Sequence, residues 1–205
     1  MLTEALDLYL RGGLVMHILL LASITAVTIT IERYIYFNTI DSGSTFAQTI
    51  SQTLQQGDYE TAAQTCKNTK GINAQILLKA LELKHTGATF LEKHMENEAG
   101  ICIAKLRKRI PYLSIIVTMA PLLGLLGTVV GMINSFNVFS AQTGQPHAIT
   151  GGVGEALIAT ASGLCVAIIA LIAHSYFSQR IDNILTDMEQ TFSSYIESLY
   201  RSNAS

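Results

Sequence analysis

The chain has 205 residues, 49% of them hydrophobic and 14% charged, with a formal net charge of −2 at pH 7. That balance is too apolar for an ordinary soluble domain of this length, and the slightly acidic net charge excludes a nucleic-acid surface. Cys66, Cys102 and Cys165 lack metal-ligand spacing, no glycine-rich loop leads into a phosphate-binding lysine, and no residue set suits covalent or hydrolytic catalysis. The residues therefore offer no metal site, no cofactor site and no enzyme.

In chain order, "MLTEALDLYLRGG" sets Leu2, Leu6, Tyr9 and Leu10 opposite Glu4, Asp7 and Arg11, which predicts an outer amphipathic helix over 1–13 lying on the membrane surface. This leader is not basic, and "TITIERYIYF" after the apolar run is a poor cleavage site, so a signal peptide is rejected. Residues 14–31 carry no formal charge and are long enough, at about 1.5 Å per residue, to cross roughly 30 Å of hydrocarbon. They form the first transmembrane helix.

Residues 32–111 read as a cytoplasmic helical domain. A helix is expected from Thr45 to Leu54, followed by a turn at Gly57-Asp58, where Asp58 is placed to cap "YETAAQTC". Gly71 breaks the chain again before the amphipathic "AQILLKALELK", and a long helix from Ala88 is expected to run into the second span, with at most a local adjustment at Pro111.

The uncharged tract from Ile110 to Gly154 is too long for one span, and its polar middle must break it. We place a second transmembrane helix at 112–136, an outer loop at 137–148 and a third transmembrane helix at 149–176. No stop signal ends the third, so one helix should continue into a cytoplasmic segment, 177–205. Its stripe of Ile181, Ile184, Leu185, Met188, Phe192, Tyr195 and Leu199 needs cover from the 45–109 helices or from neighbouring copies. The fold class is all-α, with three transmembrane helices, the second and third extended into a helical cytoplasmic domain.

Ten of the thirteen lysines and arginines lie between Arg33 and Arg109, and the loop after the second span has none. Basic residues stay in the cytoplasm, so the N-terminus is expected outside and the C-terminus inside, and the cysteines fall in reducing surroundings or within a helix.

On the second span Gly124, Gly127 and Gly131 share a face; on the third, Ala156, Thr160, Gly163, Ala167 and Ala170 do. Small residues let membrane helices approach closely, so these are interior helices of a bundle. From Ile110 to Gln179, Glu155 is the only Asp, Glu, Lys or Arg. A charge at a helix centre costs roughly 2.5–3.5 kcal/mol on insertion scales, which leaves two readings. Either Glu155 reaches the outer headgroup layer and is inert, or it serves an ion pathway. Thr128, Thr160 and Ser162 are hydroxyls available to hold water or an ion near it. Ser162 shares its face, whereas Thr160, five residues on, is about 140° around the helix and would meet it only across a subunit boundary or a lumen.

The motifs "APLLGLLGTVVGM" (120–132) and "GEALIATASGLCVAIIAL" (154–171), with "IERY" at the end of the first span and the "GDYETAAQTC" turn, resemble the ExbB/TolQ/MotA proton-channel family, closest to its ExbB/TolQ branch. The likeness covers nearly the whole chain, and three spans rather than four favour that branch. It implies a bacterial inner-membrane homopentamer whose second and third spans surround a dimer of a single-span ExbD- or TolR-type partner bearing a membrane aspartate. Proton flow would pass energy to a TonB-type or Tol–Pal system. It also implies that Glu155, Thr160 and Thr128 line the ion path, with Ser162 as an additional pore hydroxyl. Val130 and Ile169 depart from the tryptophan and proline usual in the family at these positions; the second departure implies a straighter third helix. Sodium in place of protons and a non-conducting membrane scaffold remain as alternatives.

Overall fold

The computed structural model describes the backbone of residues 13–83, 86–141 and 146–204; side chains at 138–141, 146–151, 155 and 202–204 lie outside the description. The surface helix expected at 1–13 falls outside it apart from Gly13. The described residues form seven helices and no strand: α1 (Gly13–Ile40), α2 (Ser44–Gln55), α3 (Tyr59–Asn68), α4 (Ile72–Glu82), α5 (Ala88–Arg107), α6 (Ile110–Ala141) and α7 (Pro146–Ala204). Parts of α1, α6 and α7 supply three stretches long and apolar enough to cross a membrane. The chain divides into two compact units.

The first unit comprises residues 1–31 and 109–175. Along α1, Val15, Leu19, Ala26 and Ile29 are buried at helical spacing, while Leu14, Leu21, Ile24 and Ile31 are exposed. The outward faces of α6 and α7 are equally apolar, with Leu122, Leu125, Ile133, Leu157, Ile168 and Ile172 exposed. Outward leucine and isoleucine on every helix suit a hydrocarbon solvent. The threonines of α1 adapt to it by satisfying their own helix: Thr25, Thr28 and Thr30 donate to the carbonyls four residues back at 2.7–2.8 Å.

In the region read as the outer loop, 137–148, α6 continues to Ala141 and α7 begins at Pro146, leaving 142–145 outside the described residues. Pro146 suits a helix start because its missing N–H would be unpaired there in any case.

The second unit comprises residues 32–108 and 176–205, and so holds α2 to α5 with the end of α1 and the distal part of α7. Its core includes Phe37, Ile50, Leu54, Leu77, Leu91 and Leu106, together with Phe177, Met188 and Tyr195 of α7. Phe37 and Phe177 have ring centroids 5.4 Å apart, and Tyr195 donates to the Ala80 carbonyl at 3.1 Å. Ile181, Ile184, Met188 and Tyr195 of the long stripe are thus covered within the chain. Asp58 caps α3 by accepting the Thr61 N–H at 3.0 Å, and the Thr61 hydroxyl, together with that backbone bond, holds its carboxyl below the usual range.

Between α5 and α6 the chain leaves helical geometry at Lys108 and Arg109, where φ is 73° for the arginine. Pro111 accounts for the break: a continuous helix would need its absent N–H, and its ring would crowd the Arg107 carbonyl. Arg33, only 4% exposed, closes the end of α5 by donating to the carbonyls of Lys105 (3.2 Å) and Lys108 (3.1 Å). A guanidinium there also complements the negative end of the helix dipole.

Candidate functional site in the membrane unit

The site is a seam between α6 and α7 made almost without side chains. A Cβ on Gly124 would lie 2.9 Å from the Thr160 Cα; one on Gly127 would meet the Ala159 Cβ at 2.5 Å; one on Gly131 would meet the Ala156 Cβ at 2.9 Å. From the other side, a Cβ on Gly163 would come within 2.5 Å of the Ala120 carbonyl oxygen. Each value is below ordinary van der Waals contact, so the backbones approach as closely as they do only because these positions are glycine. At the outer end Gly152 sits against the Ser135 side chain. Ala156, Ala159, Ala167, Ala170 and Ala173 continue the buried face of α7. Ala159, opposite Gly127, was absent from the face drawn from sequence; its i+3 spacing from Ala156 was the available signal.

The hydroxyls separate by partner. Thr160 donates across the seam to the Gly124 carbonyl at 2.9 Å, so the face 140° from Glu155 is turned toward α6 of the same chain. Thr128 instead donates within its own helix to the Leu125 carbonyl at 2.6 Å. Ser162 is half-buried. Both threonine protons are therefore engaged by backbone carbonyls, and what each oxygen retains is acceptor capacity. Glu155 lies within the helical part of α7, one residue before Ala156 in the seam; its side chain lies outside the described residues. Val130 and Ile169 are both exposed, and α7 runs through position 169 as one 59-residue helix. Among the described residues no cluster of His, Cys, Asp and Glu has the grouping of a metal site.

Three membrane-length helices, two of them joined by a glycine seam, continuing into a helical bundle, define a multi-pass helical membrane protein. The chain belongs to the MotA/TolQ/ExbB proton channel family, whose model matches residues 68–190 and so takes in both motif-bearing spans. It is 35% identical to the ExbB-like 1 biopolymer transport protein of Synechocystis over 86% of this chain and 73% of that one. It is 30% identical to the ExbB-like 3 protein of the same organism over 94% of this chain and 93% of that one. The Tol-Pal system protein TolQ of Haemophilus influenzae is 36% identical over 46% of this chain and 40% of its own length.

Proposed function

We propose that this chain is the pore-forming stator subunit of a motor in the bacterial inner membrane, driven by the proton-motive force. In this reading five copies surround a dimer of a single-span ExbD- or TolR-type partner, with the N-terminus outside and the C-terminus in the cytoplasm. Energy passes to outer-membrane transport of the TonB type or to envelope maintenance of the Tol–Pal type. The observation that carries the reading is the Gly124–Thr160–Gly163 seam lying within the family-matched segment, in a tract whose only charged residue is Glu155.

The chemistry follows from the acceptor oxygens. With their protons given to Gly124 and Leu125, Thr160 and Thr128 welcome a group that donates: hydronium, or the partner's aspartic acid while protonated. The ionised aspartate, an acceptor only, gains nothing from them. Protonation from outside thus favours docking and loss of the proton to the cytoplasm favours release, with Glu155 relaying the proton or setting the local field. A potential of 100 mV supplies about 2.3 kcal/mol per elementary charge, several times thermal energy, so a few protons suffice for a step. Lone pairs and one carboxylate suit Na⁺ as well, and the carried ion is part of the test.

The experiment is co-purification from native membranes with intact-complex mass, followed by flux of H⁺ and of Na⁺ into proteoliposomes under an imposed potential. A pentamer with two copies of a single-span, aspartate-bearing partner and a flux abolished by Glu155→Gln is the expected result. Oligomers with no such partner and no flux would support the scaffold instead, and a flux indifferent to Glu155→Gln would remove Glu155 from the ion path.

A further inference from the structure

Within the second unit, the residues after α1, the start of α4 and one turn of α7 line a small recess of about 10 Å³, partly open to solvent, whose polar lining is Asp41, Ser42, Asn73 and Asp187, beside Ile72 and Ile184. That is room for a single water-sized guest. Asn73 is 3% exposed, and its amide oxygen has no hydrogen-bond partner. Its orientation is set by its other end. The amide nitrogen donates to Thr191 Oγ1 at 3.2 Å and to the Asp187 carbonyl at 3.3 Å. Thr191 spends its own proton on that same carbonyl at 2.7 Å, so both atoms facing the amide nitrogen are acceptors and a flipped amide would place oxygen against oxygen.

The remaining lining is also rich in oxygen. Asp41 is already served: its Oδ1 accepts from the Gly43 N–H at 2.8 Å and its Oδ2 from Arg180 at 3.0 Å. Ser42 Oγ accepts from the Ala74 N–H at 3.4 Å. Asp187 has no such cation beside it; burial, and then the charge of Asp41, push its carboxyl above the usual range. Two carboxylates against one guanidinium leave one net negative charge. Water has two protons to offer this set, whereas a cation satisfies all the oxygens together. The wall is also held close: a Cβ on Gly71, where φ is 132°, would collide with the Ser42 backbone nitrogen at 2.7 Å and its side chain.

We infer that this cavity binds one alkali cation through the Asp187 carboxylate, the Asn73 amide oxygen and the oxygens of Asp41 and Ser42. The ion ties the end of α1 and the start of α4 to α7. The polar atoms that the lining leaves free are oxygens, which select a hard cation over a soft transition metal. One unit of net negative charge favours a monovalent ion over hydrated Mg²⁺, which keeps several waters.

The test is the thermal midpoint of the full chain in detergent, followed by circular dichroism, as NaCl or KCl replaces N-methylglucamine chloride at constant total chloride. The wild-type midpoint should rise saturably, Asp187→Asn should flatten the titration, and Glu155→Gln should leave it intact, which separates this site from the membrane carboxylate. Should Asp187→Asn not fold, Ser42→Ala should raise the half-saturating concentration several-fold. A wild-type midpoint indifferent to the cation, an unchanged titration in Asp187→Asn or Ser42→Ala, or a response to MgCl₂ alone would overturn the assignment.

Discussion

Replacing Gly163 with alanine adds one methyl group where the nearest neighbour is a backbone carbonyl oxygen at 2.5 Å, with the Gly124 Cα at 3.2 Å. Ordinary contact begins near 3.4 Å, so the two backbones must part by about 0.9 Å, because no flexible side chain can yield. Overpacking of this kind costs about 1–3 kcal/mol, against which alanine returns up to about 1 kcal/mol of helix propensity. Gly154, in the same helix with nothing within 4 Å of its Cβ direction, receives the propensity gain without the clash. The two variants should therefore move the thermal midpoint in opposite directions, Gly163→Ala down and Gly154→Ala up. The same opening stretches the 2.9 Å bond from Thr160 to Gly124, so flux in proteoliposomes should fall in Gly163→Ala alone. A Gly163→Ala protein as stable and conductive as wild type would refute the seam as a limiting contact.

Thr160→Val keeps shape and removes the hydroxyl; an interhelical bond of this type is worth about 0.6–2 kcal/mol, so the variant should fold yet lose flux, and Thr160→Ser should restore flux. Equal flux in Val and wild type, measured by a pH-sensitive dye, would remove Thr160 from the path. Tyr195→Phe should cost about 0.5–1.5 kcal/mol by thermal melt, through loss of the bond to Ala80. Burial raises the Tyr195 hydroxyl to about 12, so the folded state holds this proton more tightly than the unfolded chain; its contribution is full below about pH 10 and disappears as pH rises through 12, a loss that Tyr195→Phe should lessen. Burial likewise raises Cys66 to about 12 and Cys102, despite Lys105, to about 11, so neither should react with a maleimide at pH 7.5 until the second unit is unfolded.

The membrane helices and the seam glycines could be read from sequence because hydropathy and small-residue spacing are local properties of a helix. The partner of Thr160 could not. One helical wheel turns it away from Glu155, and only the approach of α6 supplies the Gly124 carbonyl that takes its proton. Arg33 is a similar case: within "IERY" it reads as a basic residue at a membrane border, while its function of closing α5 depends on carbonyls more than seventy residues away. The helix expected to run from Ala88 into the second span breaks after Arg107 instead: Pro111 allowed for a local adjustment only, and the exit through a left-handed Arg109 had no signal, since arginine has no preference for positive φ. Asn73 gave no sequence signal, because an unpaired buried oxygen is a property of tertiary packing alone.

The near absence of side chains from the seam has a mechanical consequence. Two surfaces that meet through Cα atoms, methyl groups and a carbonyl, with Thr160 and Ser135 supplying the rotatable hydroxyls, have few rotamers to exchange, so that interface has little scope for a second arrangement by side-chain repacking. The joined portions of α6 and α7 therefore behave as a single stave. In the motor proposed above, any alternation would belong to surfaces that carry adjustable groups, such as the faces bearing Leu122, Leu125, Ile168 and Ile172, and the stave would transmit displacement without absorbing it.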